Sequence, residues 1–308
     1  MSSKSKITVI GAANIDLIGY PKNKLIYRDA NIGALETKFG GVGRNIAENL
    51  SKLGFEVNFL SVFGDDDFSK RIIESCNDCG IKTDNSIILQ NTNTSIFMAI
   101  MDIENDMALA INDMHIYNKV PDSFILNNIK LIDQIEFCVL ETNMPKRILE
   151  LVTDKLPNTH FSLDAVSGKK ALKAKTILSK LSILKCNLLE AELLSEIKVI
   201  KKSDHKKLVK FFISLGVKKV FITLGKDGIL YGDRKGNYQL KIKPIKPLNT
   251  IGAGDSFMAG LLYGEANNYD IHKMVEFANT CANITIQHKN TVHPHLSEKL
   301  ILKTIHEY

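Results

Sequence analysis

The chain has 308 residues, enough to bury a sizeable core in one large α/β domain or two small ones. Hydrophobic residues make up 44% and charged residues 24%, and 40 Lys and Arg against 34 Asp and Glu leave a net charge of +6, a balance ordinary for a soluble globular protein. The densest basic run, Lys198 to Lys210, places Lys202, Lys206 and Lys210 at helical spacing with almost no aromatic interleaving. It reads as a solvated helix face, so no nucleic-acid partner is expected.

Cys76, Cys79, Cys138, Cys186 and Cys281 are odd in number, and the CxxC of the first two lacks a second pair or a His cluster to complete a zinc site. Free thiols in a reducing compartment are expected. No apolar run is long enough to span a membrane and no signal peptide is evident, so a cytoplasmic protein without a membrane partner is expected.

In chain order, Ile7 to Asp16 (ITVIGAANID) predicts a buried strand with a polar tip, and the residues from there through Lys38 look irregular. FGGVGRNIAENLSKLGFEV then supplies a glycine turn, a helix with Ile46, Leu50 and Leu53 on one face, a stop at Gly54 and a new strand, VNFLSVFG. A helix over Phe68 to Cys79 follows, and TSIFMAIMDIENDMALAINDM predicts two strands about the turn Asp102 to Asp106. The strand-like runs FCVLET, HFSLDA, LSILKCN and KKVFITLG are mostly separated by helical stretches, which predicts a parallel sheet with helices on both faces. GILYGD and YQLKIKP form a hairpin pattern, and two helical patterns, Ile271 to His288 and Ser297 to the end, close the chain. With no internal repeat or linker, a single domain over 1–308 is expected. Ligands of such sheets lie at the carboxyl ends of the strands, so the polar tips of the parallel strands should converge.

Asn249 to Phe257 (NTIGAGDSF) carries the chemistry. Gly252, Ala253 and Gly254 precede Asp255 at the start of a helical segment, where unpaired amides and the helix dipole make an anion site. A carboxylate there is wrong for mere phosphate storage but right for taking a proton from a hydroxyl that attacks phosphorus. On this stretch alone the commoner reading makes Asp255 an N-cap and the glycines a tight turn. GxxxxGK[ST], a strand-linked GxGxxG and the HRD and DFG set are all absent.

GGVGRN at Gly40 to Asn45 followed about two hundred residues later by NTIGAGD resembles the two signatures of the ribokinase-like (PfkB) carbohydrate kinases, and the resemblance covers nearly the whole chain. It implies a three-layer α/β sandwich with a mostly parallel sheet, plus a small β-sheet lid from about 14–38 and 92–117. It also implies ATP, Mg²⁺ and a small-molecule sugar or nucleoside, with a homodimer through the lid. By resemblance Asp255 is the catalytic base, the backbone of Gly252, Ala253 and Gly254 the anion hole, and Asn14, Asp16, Gly40, Gly41, Asn45 and Thr94 the substrate-binding set. Independently, Asp16 can accept from vicinal hydroxyls and Asn45 can donate and accept, while Gly40 and Gly41 admit close approach. A strand-end turn at Asp16 and an N-cap at Asn45 are the plainer readings.

CNLLEAE resembles the family's NxxE element, which would place Glu190 on Mg²⁺ largely through water and Asn187 near the phosphates. Early acids at a helix start read as well without the family. TLGKDG resembles the nucleotide loop and implies Thr223, Gly225 and Gly228, with Lys243, Asn279 and Asn283 on the adenine side. Asn249 and Ile251 stand where the family often has Asp and Thr around a monovalent-cation site, which weakens the case for potassium. GGVGRNIAENLSKLG, AINDM and LDAVSGKK with LKCNLLEAELLS resemble pseudouridine kinases more than ribokinases or fructokinases, implying Ser167, Lys170, Asp113 and Met114 at the base. Lys170 in a lysine-rich helix also reads as a surface residue. Sugar kinases, other nucleoside kinases and a catalytically silent ligand sensor are the alternatives.

Overall fold

A computed structural model describes residues 5–243 and 245–307. Fifteen strands appear in chain order: β1 (Lys6–Ile10), β2 (Asn14–Pro21), β3 (Gly33–Gly40), β4 (Glu56–Leu60), β5 (Val62–Gly64), β6 (Ile81–Lys82), β7 (Ile87–Leu89), β8 (Ile96–Met101), β9 (Met107–Asp113), β10 (Phe137–Glu141), β11 (His160–Asp164), β12 (Leu181–Asn187), β13 (Lys219–Thr223), β14 (Ile229–Asp233) and β15 (Gly236–Leu240). The α-helices are α1 (Val42–Lys52), α2 (Asp67–Asp78), α3 (Ser123–Asp133), α4 (Lys146–Lys155), α5 (Gly168–Ala171), α6 (Leu188–Ser195), α7 (His205–Ser214), α8 (Ala253–Ala266), α9 (Ile271–Ile286) and α10 (Glu298–Thr304).

Nine strands form the main sheet in the order β15-β14-β13-β12-β11-β10-β1-β4-β6, parallel except at β14 and β15. Alternating side chains feed two cores. Ile7, Val9, Phe137 and Val139 pack with α1, α8 and α9, whereas Ile10, Cys138 and Leu140 pack with α3, α4, α6 and α7. Helices on both faces are why these strands read as near-continuous apolar runs. The chain runs outward from β1 to β4 and β6 and returns to β10 on the other side of β1, so the strand order reverses between β1 and β10. That reversal opens the crevice in which such sheets bind ligands.

The predicted strand Ile7–Asp16 is in fact two. It breaks after Ile10 because the following amides bond sideways. Ala12 N–H donates to Glu141 Oε1 at 2.5 Å, and the buried Tyr117 hydroxyl accepts from Ala13 N–H and donates to Ala13 C=O, both at 2.8 Å. The segment through Lys38 is likewise not irregular at its two ends, since β2 and β3 pair antiparallel from Asn14↔Gly40 to Pro21↔Gly33. Long-range pairing with β8 supplies the partner that local periodicity cannot reveal. Together β3-β2-β8-β9 make a separate four-stranded sheet, the lid. Leu35, Met98, Leu109 and Ile111 are exposed on it, and Met98 and Ile111 are register partners.

The second half of the basic run lies in α7, with Lys206, Lys207 and Lys210 exposed, while Lys202 sits in a 3₁₀ turn before it. All five cysteines are free. Among the described residues no helix is long and apolar enough to cross a membrane.

Candidate active site

The site begins at the start of α1. Gly41 is the N-cap with a φ of 101°, and a Cβ there would run into the backbone of Ala12 and Ala13. The helix start therefore presses against the break after β1, where Arg44 N–H donates to Ala12 C=O at 3.1 Å. Asn45 falls inside the helix and does not cap it, which removes the plainer reading. Its buried Nδ2 instead donates to Asp255 Oδ2 at 2.8 Å across 210 residues of sequence. Asn45 Oδ1 is buried with no partner, leaving one acceptor for a ligand hydroxyl.

Asp255 is not the N-cap of α8 either. That position is Gly252, with a φ of 85° and no room for a Cβ beside the Thr291 carbonyl. Gly254 and Asp255 lie in the first turn, where amides lack intrahelical acceptors. Burial, and then Asp164, push the Asp255 carboxyl up to about 7, against Lys185 and the Asn45 hydrogen bond. The carboxyl is thus a stronger base than an exposed aspartate, poised near neutrality.

Asp16 lies on the lid strand β2. Its Oδ1 accepts from Asn14 Nδ2 at 2.5 Å, and a Cβ on Gly40 would stand 2.5 Å from its Oδ2. Gly40 is therefore required by the carboxylate of Asp16 as well as by any ligand. Burial raises Asp16 to about 6, partly offset by Asn14, Lys38 and Arg44. Hydrogen bonds from ligand hydroxyls would favour its ionised form.

Glu141 was not singled out from the sequence. Fully buried at the end of β10, it bridges the crevice by accepting from Ala12 N–H and, at 2.7 Å, from Asn143 N–H, and burial raises it to about 7. A carboxylate closing the apolar run FCVL was the available signal. Asn143 accepts from Lys170 Nζ at 2.5 Å, and the same ammonium lies 3.4 Å from Met114 Sδ. Lys170 is half-buried, not a surface lysine, and burial lowers its pKa against the pull of Glu141. The expected pair of Lys170 and Met114 is thus assembled.

Three other expected residues have contacts or positions of their own. Thr94 is bound to the base of α2: its hydroxyl donates to Asp66 Oδ1 at 2.7 Å and accepts from Gly64 N–H at 3.1 Å, while Asp66 caps the helix through Ser69 N–H. Asp113 points its exposed carboxylate to His115, accepting from the backbone amide, because the chain turns into a single-turn 3₁₀ helix there. Ser167 is exposed at the N-cap position of α5.

On the far side of the α8 turn a cavity of about 520 Å³ is lined by Thr223, Gly225, Gly228, Lys243, Asn279 and Asn283, along with Ala253, Gly254 and apolar Ile229, Ile242 and Phe257. All the expected nucleotide residues except Asn187 line it. Asn283 Nδ2 is buried without a partner, a free donor in the cavity wall. The Lys243 ammonium donates to Glu307 C=O at 2.9 Å. Asn187 caps α6, accepting from Glu190 N–H at 2.9 Å while Glu190 accepts from Asn187 N–H at 2.8 Å and from its Nδ2 at 2.7 Å. Each Glu190 oxygen keeps a free lone pair, which suits metal-bound water better than a direct metal bond. Asn249 ties the anion turn down, accepting from Ile251 N–H at 3.0 Å and donating to Lys289 C=O at 3.1 Å.

The pfkB family carbohydrate kinase model matches residues 4–299. Pseudouridine kinase of Escherichia coli K12 is 33% identical over 96% of this chain and 95% of its own. Ribokinase of Bacillus subtilis is 25% identical over 91% of this chain and 92% of its own. The solved structure of a sugar kinase from Clostridium perfringens superposes with a TM-score of 0.89 at 34% identity, covering 100% of this chain and 97% of that one.

Proposed function

The chain belongs to the pfkB family of carbohydrate kinases and is a phosphotransferase acting on a sugar or nucleoside hydroxyl, and from that premise we propose that it transfers the γ-phosphoryl group of ATP to the 5′-hydroxyl of pseudouridine. The carrying observation is the Asn45–Asp255 hydrogen bond, which sets a buried base of raised pKa beside a helix start whose Gly254 and Asp255 amides lack intrahelical acceptors, between the crevice and the apolar cavity. ATP occupies that cavity with its purine toward Asn279 and Asn283 and its phosphates at Gly252, Ala253 and Gly254. Glu190 would hold Mg²⁺ through the ion's water shell, and the ion would supply neutralisation of the phosphate charge.

The nucleoside lies across the crevice. Asp16 and Asn14 hold ribose hydroxyls, Asn45 orients the attacking hydroxyl, and Asp255 accepts its proton as the oxygen meets phosphorus. A loose transition state releases that proton late, so a carboxylate suffices. Lys170 and Asn143 offer a cation and an amide to the uracil edge, with Met114 closing over it. The similarity to pseudouridine kinase supports this acceptor; similarity to ribokinase makes ribose the second reading. The exposed lid residues Leu35, Leu109 and Ile111 are the surface on which two copies would pair.

The test is ADP release with MgATP and, in turn, pseudouridine, uridine, adenosine, ribose and fructose. A strong preference for pseudouridine is expected. A free sugar as the best acceptor would overturn the reading of Lys170 and Asn143, and no turnover with any would favour the sensor.

A further inference from the structure

Lys185 sits in the strand-like run LSILKCN, two residues before Asn187, and has carried no functional role so far. It lies on β12 as the register partner of Asp164 on β11, so the two side chains share a face of the sheet. Its ammonium donates to Asp164 Oδ2 at 2.8 Å, and that aspartate is 1% exposed, with its other oxygen accepting from Val166 N–H at 2.8 Å. An ammonium has three donors, and this bond uses one. The rest of the head lies against the anion turn: a Cβ built on Gly254 would stand 2.6 Å from Lys185 Nζ. A side chain at Gly254 would thus meet this buried ammonium, which lies next to the first-turn amides.

The charge balance points the same way. Asp164, Asp255 and Glu190 all act on Lys185, and together they outweigh the burial that would lower its pKa. Three carboxylates around one ammonium would repel a nucleoside triphosphate unless that ammonium faced the phosphates. Salt-bridge duty to Asp164 alone explains neither its place at Gly254 nor its free donors, since an ion pair could be buried anywhere along β11 and β12.

We propose that Lys185 is a catalytic residue of the transfer, held by Asp164 so that its ammonium donates to the non-bridging oxygens of the phosphoryl group in flight. The inference rests on the kinase reading above. In the step, the bond between the acceptor oxygen and the γ-phosphorus forms and the bond from that phosphorus to the ADP oxygen breaks. The electron pair leaves with ADP, and the acceptor proton passes to Asp255. Lys185 stays protonated throughout and stabilises charge that amides alone would share.

Removing the lysine strands the Asp164 charge, so the experiment uses two variants, Lys185→Met and the double variant Lys185→Met with Asp164→Asn, each checked for a cooperative melt. Both are expected to lose roughly 10² to 10³-fold in kcat, the scale for one transition-state donor, with the acceptor KM moved no more than about threefold. Calorimetry supplies a readout that a structural role would not move. ADP with aluminium fluoride should bind more weakly by a similar factor, while ADP alone binds almost as to the wild type. A folded double variant with near wild-type kcat, or an equal loss of affinity for both nucleotides, would show that the lysine only balances Asp164. If the wild type prefers a free sugar, the substrate reading fails and Lys185 is read with that sugar; if it turns over no acceptor, the kinase reading fails and this role with it.

Discussion

Replacing Asp255 with asparagine should do two opposite things. The carboxyl is raised from an ordinary 3.8 to about 7, chiefly by burial. Between those values the folded chain keeps a proton that the unfolded chain has lost, so stability falls as pH rises and the loss is complete above about 7. At about 1.36 kcal/mol per pH unit, ionised Asp255 costs the fold about 4 kcal/mol. Asparagine does not ionise, and its Oδ1 can still accept from Asn45 Nδ2. The variant should therefore melt higher at pH 8, by up to about 6 °C for a chain of this length, with the difference vanishing near pH 4. Turnover should fall by roughly 10² to 10⁴-fold, or about 3–5 kcal/mol on the barrier, and wild-type kcat/KM should rise with pH through about 7 as the base ionises. Scanning calorimetry across pH and ADP-release kinetics measure both arms. A near-normal kcat, or a melting difference that does not grow with pH, would refute the argument.

Three further substitutions probe the surroundings. Glu190→Gln turns an amide toward the Asn187 N–H that its carboxylate now accepts, so the magnesium dependence of the rate should shift by about 10 to 100-fold, as for other outer-shell groups; an unchanged magnesium titration would count against the assignment. Gly252→Ala must hold a φ of 85° with its Cβ against the Thr291 carbonyl, and urea unfolding should show a loss of more than about 1 kcal/mol together with lower kcat. Full stability with full activity would show that the turn relaxes freely. Asn283→Leu removes the unpartnered donor in the apolar cavity, so KM for ATP should rise about tenfold, the worth of one net hydrogen bond, while the acceptor KM stays put; a change in the acceptor KM alone would place the residue elsewhere.

Much of the site was legible because its logic is local. NTIGAGD carries its turn, helix start and carboxylate within a few residues, and alternating apolar runs and helices announce a parallel sheet whatever packs on it. TLGKDG likewise lies where its strand ends, and Thr223, Gly225 and Gly228 reach the cavity. The local partners of Thr94 and Asp113 were not legible, because hydroxyls and carboxylates go to the nearest unpaired donor, here the amides of Gly64 and His115.

What the sequence by itself determined was the layered α/β architecture, the glycine turn at Gly252 to Gly254, and Asp255 as the carboxylate beside it, since period, glycine and helix start are properties of contiguous residues. Tertiary structure decided the rest. The split of the first strand depends on Glu141 and Tyr117 taking the Ala12 and Ala13 amides, the lid on pairing β2 with β8, and Asn45 on meeting Asp255 across 210 residues. The place of Lys185 at Gly254 depends on two neighbouring strands and a distant helix. Burial and charge at these groups arise only when remote segments exclude water together, and no window of the chain encodes that.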